Sequence, residues 1–358
     1  MDIQTLYTEA VALLKQLIGT PSFSKEESQT ASLLTVFLGE NHIAHSRTDN
    51  NVWALNQYFD EKKPVILLNS HHDTVKPNPA YTRNPFEPSE CEGKLYGLGS
   101  NDAGGCVVSL LAAFRYFYER RDLKYNLAIA ITAEEEISGK KGIESILNRL
   151  PKIDFAIIGE PTLMNMAIAE KGLMVLDGVA HGVAGHAARE EGDNALYKAL
   201  KDIEWFRSYQ FPKVSEALGP VKMSVTMIQA GQQHNVIPAE CRFTVDVRIT
   251  DAYTPEEVLE IIRQHVQSEV IPRSMRMRPS SIDKNHPIVK AAIKLGKKLY
   301  GSPTTSDQAL IPAPSIKIGP GDSARSHSAD EFIYLKEIKE GIEMYIGLLE
   351  EVITFDNK

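Results

Sequence analysis

The stretch PVILLNSHHDT, residues 64–74, joins an apolar run to a polar end. The apolar part, residues 64–69, has the length and composition of a buried strand. In open α/β sheets, ligands and catalytic groups gather at the carboxyl ends of the strands. Along a strand, His71 and Asp73 would point one way and His72 the other. An imidazole and a carboxylate on one face suit a metal ligand and its orienting partner, and a solvated loop with chance histidines is the alternative.

Two more predicted strands end in acidic residues. Residues 125–132 precede Ala133 and the glutamates 134–136, and residues 155–158 precede Gly159-Glu160. Predicted helices near 103–119 and 141–149 separate these strands. Alternation of strand and helix favours an α/β fold, with a largely parallel sheet covered by helices. We therefore expect acidic and histidine side chains to collect at one sheet edge.

The pattern changes between residues 168 and 279. Strands are predicted at 173–181, 222–229, 242–249 and 274–278, with helices at 194–208 and 255–268. The order βαββαβ is the ferredoxin-like arrangement. The sequence thus predicts a catalytic domain of residues 1–167 and 280–358, interrupted by an inserted α+β domain of residues 168–279.

Other elements of the catalytic domain follow from local signals. Apolar spacing predicts a helix over 3–19, and Ser24 with Glu27 is typical of a capping box for a second helix, ending near residue 40. The remaining predictions are a strand at 51–56, a loop at 78–94, a helix at 286–300, a strand at 315–318, a loop at 319–330 and a helix from Leu335.

Composition narrows the classes of function. The 358 residues carry a net charge of −8, which argues against general nucleic-acid binding. The N-terminus lacks the pattern of a signal peptide, and no apolar run approaches the roughly 18 residues of a membrane span. Three widely spaced cysteines make neither a disulfide framework nor a CxxC zinc motif. We expect a cytoplasmic protein with no nucleic-acid or membrane partner.

The collected side chains predict a metal centre. Carboxylates crowded at one edge repel one another unless cations neutralise them. Histidine with carboxylate oxygen suits zinc, cobalt or manganese, and two ions sharing a carboxylate would lie about 3.5–4 Å apart. Asp102, on the glycine-rich turn GLGSNDAGG, is the natural bridge. Asp102 stands where the GxGxxG pattern requires its last glycine, which disfavours a dinucleotide-binding loop, and the sequence has no GxSxG motif.

The glutamates at 134–136 have two interpretations. They could form a solvated helix start, where acidic residues favour the helix dipole. Their place directly after a strand favours the metal site instead. If Glu136 binds metal, Glu135 can accept a proton from an activated water and return it to a leaving amine. The roles of Glu134 and His72 stay open.

Six motifs, in order, resemble a known family. They are SHHD (70–73), GLGSNDAGG (97–105), TAEEE (132–136), GEPT (159–162), GHA (185–187) and the late His327. The whole chain resembles the co-catalytic zinc deacylases and metallopeptidases that include acetylornithine deacetylase, succinyl-diaminopimelate desuccinylase, aminoacylase and glutamate carboxypeptidase.

The resemblance implies two divalent metal ions, zinc or alternatively cobalt. It places one ion on His71, Asp102 and Glu160, and the other on Asp102, Glu136 and His327. It also implies that Asp73 orients His71 and that Glu135 is the general base.

The inserted domain is implied to be a lid and the interface of a homodimer. Its His186 resembles a histidine that steadies the oxyanion in a partner's site. Asn235 and Arg248, with Ser306 from the catalytic domain as a weaker candidate, resemble substrate-anchoring residues. An arginine fork suits the α-carboxylate of a substrate.

We therefore expect an amide hydrolase that removes an acetyl or succinyl group from the α-nitrogen of an amino acid. The sequence GPGD at 319–322 resembles acylornithine and acylcitrulline deacylases of arginine biosynthesis. Alternatives are succinyl-diaminopimelate desuccinylation in lysine biosynthesis, a dipeptidase or carboxypeptidase, and a catalytically silent binding homologue.

Overall fold

The computed structural model describes residues 1–189 and 191–354. The helices are α1 (Ile3–Ile18), α2 (Ser28–Glu40), α3 (Gly105–Phe117), α4 (Ala195–Ser208), α5 (Pro255–His265), α6 (Pro287–Lys294) and α7 (Leu335–Ile353). The strands are β1 (His45–Thr48), β2 (Asn51–Leu55), β3 (Val65–His71), β4 (Ser89–Cys91), β5 (Lys94–Tyr96), β6 (Asn126–Thr132), β7 (Phe155–Ile158), β8 (Met166–Glu170), β9 (Gly172–His181), β10 (Gly185–His186), β11 (Lys222–Ala230), β12 (Val236–Ile237), β13 (Glu240–Ile249), β14 (Glu269–Pro272), β15 (Ser280–Ser281), β16 (Leu299–Ser302), β17 (Ser315–Lys317) and β18 (Phe332–Tyr334).

The chain divides into two compact units. The first unit comprises the described residues of Met1–Ile168, Ser281–Tyr300 and Ser306–Lys358. The second unit comprises those of Ala169–Ser280 and Gly301–Thr305. No helix within residues 1–189 and 191–354 is long and apolar enough to cross a membrane.

The central sheet of the first unit has the strand order β1-β2-β6-β3-β7-β17-β8. Strand β3 runs parallel to β6 and β7, and β17 runs parallel to β7. Every residue of β3 and β6 is buried, as expected for parallel strands covered on both faces. The common direction brings the ends of these strands, after His71, Thr132, Ile158 and Lys317, to one edge.

Helix α3 is the central helix of the first unit. It packs against α1, α7 and β3, and nearly all of its residues are buried. A helix that is apolar on all sides is stable only inside a core. Helix α3 begins at Gly105, three residues after Asp102. The packing of α3 in the core therefore helps to fix the position of Asp102.

The second unit has an antiparallel sheet of order β11-β13-β9-β14. Helices α4 and α5 contribute Phe206, Val258 and Ile262 to a core shared with Phe243 of β13. Burial alternates along β13, which shows that one face of the sheet is covered. The succession β9-α4-β11-β13-α5-β14 with this order is ferredoxin-like, which confirms the predicted fold class.

Three element predictions were wrong. The helix expected at 141–149 is a single 3-10 turn, Ile143–Ser145, which begins after Gly142. The strand expected at 274–278 lies earlier, at β14, where Val270 packs into the core of the second unit. The helix expected at 286–300 ends at Lys294 because Gly296 adopts a positive φ, and residues 299–302 form β16.

The predicted capping box at Ser24 was also wrong. Helix α2 begins only at Ser28, and its N-cap residue Glu27 makes no side-chain capping bond. The Glu27 carboxylate instead accepts hydrogen bonds from the Lys25 and Glu134 backbone N–H groups. The Ser24 hydroxyl donates to Asp73. The side chains of Ser24 and Glu27 therefore bind segments at the edge of the sheet and do not cap the helix.

Candidate metal centre

Six side chains predicted as metal ligands or general base meet at the carboxyl edge of the parallel strands. His71 is the last residue of β3, segments after β6, β7 and β17 carry four more, and the turn before α3 carries the sixth. Because these strands are parallel, loops far apart in sequence end side by side. The six residues are His71, Asp102, Glu135, Glu136, Glu160 and His327.

His71 lies at the centre of one group of carboxylates. Its Nε2 is 3.3 Å from Asp102 Oδ1, 3.7 Å from Glu160 Oε1 and 3.8 Å from Glu135 Oε2. The His71 side chain is only 1% exposed, so these contacts are shielded from bulk water. An imidazole nitrogen facing several carboxylate oxygens is a donor set that zinc, cobalt or manganese can use.

Asp102 also faces a second histidine with its other oxygen. Its Oδ2 is 3.7 Å from His327 Nε2, and the same nitrogen is 3.0 Å from Glu136 Oε2. The two carboxylate oxygens of Asp102 therefore point to different imidazoles. That is the geometry expected of a carboxylate shared between two cations.

Within residues 1–189 and 191–354, two groups of three side chains could each hold a metal ion, because the potential ligand atoms of each group lie within 4.8 Å of one another. One set is His71, Asp102 and Glu136, and the other is His71, Glu135 and Glu160. Both differ in membership from the sets implied by the resemblance, because Glu135 lies among the ligand atoms and His71 belongs to both groups. The convergence of a buried imidazole and partly buried carboxylates fits divalent cations, which would neutralise the crowded acids.

Asp73 supports His71 through its backbone as well as its side chain. His71 Nδ1 lies 3.0 Å from the Asp73 carbonyl oxygen and 3.4 Å from Oδ1. A hydrogen bond from Nδ1–H to the carbonyl would leave the Nε2 lone pair available to a metal ion. The Asp73 carboxylate accepts bonds from Ser24 Oγ and from the backbone N–H groups of Glu135 and Glu136.

Burial and mutual repulsion set the electrostatics of the acids. Burial, together with the negative charge of Asp102, raises the pKa of Glu160 to about 8. Burial and the neighbouring carboxylates of Glu160 and Asp307 raise the pKa of Glu135 well above its ordinary value. A divalent cation bound among these carboxylates would favour their charged forms.

Burial alone would lower the pKa of both histidines, but the neighbouring carboxylates raise it. A hydrogen bond to Glu136 raises the pKa of His327 to about 9. Burial lowers the pKa of His71, but the charges of Glu135, Asp102 and Asp73 outweigh it and bring that pKa well above the ordinary value. Both imidazoles are thus held in a strongly negative environment.

His72 and Glu134, whose roles the sequence left open, face away from this cluster. His72 Nδ1 lies 2.9 Å from Thr30 Oγ1, and its Nε2 is 2.9 Å from the Asn50 carbonyl oxygen. Glu134 accepts a hydrogen bond from the Lys141 backbone N–H. Both side chains join neighbouring segments of the first unit.

Sequence reasoning assigned no role at the metal centre to three residues that shape it. Glu331 is buried and accepts backbone N–H groups of the turn that carries Asp102. The Asn101 amide pairs with the backbone N–H and carbonyl of Asp322, both at 3.0 Å. Asp307 is buried, and it accepts a hydrogen bond from Thr132 Oγ1 at 2.7 Å. No local motif signals these contacts, since each joins segments more than 170 residues apart.

Ser306 is used within its own turn. Its side chain accepts the Gln308 N–H and caps the 3-10 helix Asp307–Leu310. The residue is 2% exposed. Its neighbour Asp307, rather than Ser306, contributes charge near Glu135.

The predicted catalytic residue His186 and the predicted substrate residues Asn235 and Arg248 lie in the second unit. His186 on β10 pairs with Val236 on β12, and its Nδ1 accepts the Ala188 N–H at 3.1 Å. That contact assigns the proton of neutral His186 to Nε2. The Asn235 carbonyl accepts the Ala187 N–H at 3.0 Å, which places Asn235 beside the His186 segment.

Arg248 lies on β13 with its guanidinium already engaged. Its Nε and Nη2 donate to the two oxygens of Asp246 at 2.8 and 3.0 Å. Its Nη1 donates to Thr305 Oγ1 at 3.2 Å. A substrate carboxylate at Arg248 would therefore meet a guanidinium held in one orientation by Asp246.

A sequence model of peptidase family M20/M25/M40 matches residues 67–351. The chain belongs to this family. The matched segment includes all six residues of the cluster, from His71 to His327. The predicted family is confirmed, and the chain is a metal-dependent hydrolase of the M20 type.

Relatives of this M20 hydrolase cover nearly all of its length. Succinyl-diaminopimelate desuccinylase 2 of Alteromonas mediterranea is 26% identical over 98% of this chain and 100% of its own. Aminopeptidase PepT of Bacillus cereus has a TM-score of 0.78 at 17% identity, covering 97% of this chain and 98% of that one. The YXEP protein of Bacillus subtilis, a dinuclear metal-binding peptidase, has a TM-score of 0.74 at 17% identity over 98% of both chains. The solved structures establish the shared fold.

Proposed function

We propose that this M20 hydrolase uses two metal ions to remove an acyl group from the α-nitrogen of an amino acid. One observation carries the proposal: Asp102 presents its two oxygens to His71 and His327, with Glu135 beside His71. His71, Asp102 and Glu160 would hold one ion, and Asp102, Glu136 and His327 the other. Zinc suits these donors best, and cobalt is the alternative.

Divalent ions, when bound, polarise a substrate carbonyl and activate water. Glu135 then acts as the general base, taking a proton from the attacking water and delivering it to the leaving amine. The Glu135 side chain is only 11% exposed, and its Oε2 lies 3.8 Å from His71 Nε2, beside the proposed metal ligands. Asp73 orients His71 by fixing its Nδ1 proton.

Residues of the second unit complete the proposal. His186 is a hydrogen-bond donor through Nε2 and would steady the tetrahedral oxyanion from the partner subunit of a homodimer. Arg248 would bind the α-carboxylate, with Asn235 and, more weakly, Ser306 as further substrate contacts.

The proposed substrate is N-acetyl- or N-succinyl-ornithine, or the corresponding citrulline. The residues GPGD at 319–322, in the loop that leads to His327, favour this class. Succinyl-diaminopimelate is the second candidate, favoured by the full-length relative of that name. A dipeptidase or carboxypeptidase is a third possibility that rests on the fold alone.

A panel of substrates tests these alternatives directly. Acetyl-ornithine, succinyl-ornithine, acetyl-citrulline, succinyl-citrulline, succinyl-diaminopimelate and a dipeptide are compared by kcat/KM, with metal content measured on the same sample. We expect one acylated amino acid to exceed the dipeptide by orders of magnitude. Turnover confined to the dipeptide would refute the deacylase proposal. Purified protein that is metal-free and insensitive to chelators would instead support a silent binding homologue.

A further inference from the structure

We propose that Glu331 is a positioning residue that holds Asp102 at the metal centre through the backbone of its turn. Nothing in the sequence motifs assigns Glu331 a role. The inference rests on the proposed function, because it concerns the affinity of the centre for metal. Its basis is the hydrogen bonding of the segment 97–102, called here the Asp102 turn.

The Glu331 carboxylate accepts three backbone N–H groups from that turn. Oε2 accepts from Gly99 at 3.1 Å, and Oε1 accepts from Asn101 at 2.8 Å and from Asp102 at 3.0 Å. The Glu331 carbonyl oxygen also accepts the Gly97 N–H at 3.0 Å. One residue therefore binds both ends of the Asp102 turn.

The turn needs such an acceptor because the N–H groups of Gly99, Asn101 and Asp102 all point toward the same buried site. Gly99 adopts a φ of +74°, which turns the backbone sharply, and a Cβ there would lie 2.6 Å from Thr74 Cγ2. Successive N–H groups in such a turn form a concavity that favours an anion. Glu331 is 2% exposed, so its carboxylate replaces water as the partner of these groups.

The placement of Asp102 depends directly on this arrangement. Its own N–H is one of the three donors, so its Cα is fixed next to the Glu331 carboxylate. A shift of this backbone would move both oxygens of Asp102 away from His71 and His327 together. Residues that orient metal ligands typically alter metal affinity by about 10–100-fold when they are replaced.

A carboxylate is specifically required. A glutamine has one acceptor oxygen, and its amide group would present hydrogens to backbone donors. In Glu331→Gln either the Gly99 bond or the pair of bonds to Asn101 and Asp102 is lost. The variant keeps the size of the side chain and removes one acceptor, so it isolates the hydrogen bonding.

Asp202 offers a matched control. Its buried carboxylate accepts the backbone N–H groups of Gln267 and Ser268, together with Ser268 Oγ, in the second unit. Asp202→Asn removes the same kind of acceptor from a position that holds no candidate ligand. Both variants lose folding stability, and only the Glu331 variant is expected to lose metal affinity.

The test measures zinc affinity and stoichiometry by competition with a chromogenic chelator, on full-length wild-type, Glu331→Gln and Asp202→Asn proteins. We expect at least a tenfold loss of affinity at one zinc site in Glu331→Gln, and wild-type affinity in Asp202→Asn. Wild-type zinc binding in Glu331→Gln, or equal losses in both variants, would overturn the role of Glu331. If Glu331→Gln does not fold, Glu331→Asp is measured with the same two outcomes. Wild-type protein that binds no zinc would instead refute the two-metal proposal itself.

Discussion

Ser24 donates its hydroxyl hydrogen to Asp73 Oδ2 at 2.7 Å, joining the N-terminal segment to the turn after β3. The same oxygen accepts the Glu136 N–H at 3.2 Å, and Oδ1 accepts the Glu135 N–H at 3.0 Å. Burial alone would raise the pKa of Asp73, but the bonds from His71, Ser24 and Glu135 hold it below its ordinary value. The charged carboxylate of Asp73 thus links the N-terminal segment, the end of β3 and the segment after β6.

We predict that Ser24→Ala lowers kcat/KM by about tenfold, since a hydrogen bond to a charged group contributes about 1.5–3 kcal/mol. Loss of this bond loosens the turn that orients His71. Steady-state kinetics at saturating zinc provide the measurement. Ser208→Ala, which removes an exposed hydroxyl bonded to the Glu204 carbonyl, is the control and should match wild type. Equal activity of the two variants would contradict the prediction.

Glu135→Gln should lower kcat by a factor of about 10²–10⁴ while metal content stays at the wild-type level, because the amide cannot accept and return a proton. Kinetics and metal analysis are made on one preparation. Glu134→Gln is the neighbouring control, since an amide oxygen can still accept the Lys141 N–H. Retention of normal turnover in Glu135→Gln would remove Glu135 as the base, and loss of zinc would make it a ligand.

His186→Ala should reduce kcat by about 10²–10³-fold with a small change in KM, as expected when a donor to the oxyanion is removed. Mixing this variant with Glu135→Gln tests whether subunits share sites. A heterodimer would contain one site with both residues intact, so mixed preparations should regain part of the activity. Mixed dimers that stay inactive, after subunit exchange has been verified, would exclude action across subunits.

His286 is the N-cap residue of α6, and its titration should contribute to the pH dependence of folding stability. Its side chain accepts the Ile288 N–H, and burial lowers its pKa from the ordinary 6.5. The unfolded chain then binds a proton more readily than the folded one. The stability supplied by neutral His286 is therefore complete above about pH 6.5 and is lost as the pH falls through the lower folded-state pKa.

His286→Asn keeps an N-cap acceptor that does not titrate. Between pH 7 and pH 5, the free energy of unfolding should fall less in this variant than in wild type. Urea unfolding of both proteins at each pH, with zinc held constant, measures the difference. Parallel curves for the two proteins would show that His286 does not titrate in this interval.

Much of the architecture could be predicted from the chain because it depends on apolar periodicity. Continuous apolar runs in β3 and β6 indicated buried parallel strands, and parallel strands place their ends at one edge. That single inference was enough to group His71, Glu135, Glu136 and Glu160 at one edge of the sheet. The family was confirmed, while the roles given to these residues stay predictions.

What the sequence could not provide is the hydrogen bonding between distant backbone groups. Ser24 and Glu27 match a capping pattern, yet both bind other segments in preference to the helix end. Glu331 accepts hydrogen bonds from backbone amides about 230 residues away in sequence. Every residue except proline has a backbone N–H, so the residue types do not indicate which of these groups bind Glu331. Arg248 was expected to bind a substrate carboxylate, whereas its Nε and Nη2 already donate to the carboxylate of Asp246, two residues away.

The division of the first unit by the second has a consequence for biosynthesis. The candidate ligands from His71 to Glu160 precede the second unit in sequence, whereas His327 and Glu331 follow it. A growing chain therefore presents most of its candidate ligands long before His327 and Glu331. If His327 binds the second ion as proposed, that ion would gain its last ligand only once the C-terminal segment has been made, and its loading would be a late event in the maturation of the newly made protein.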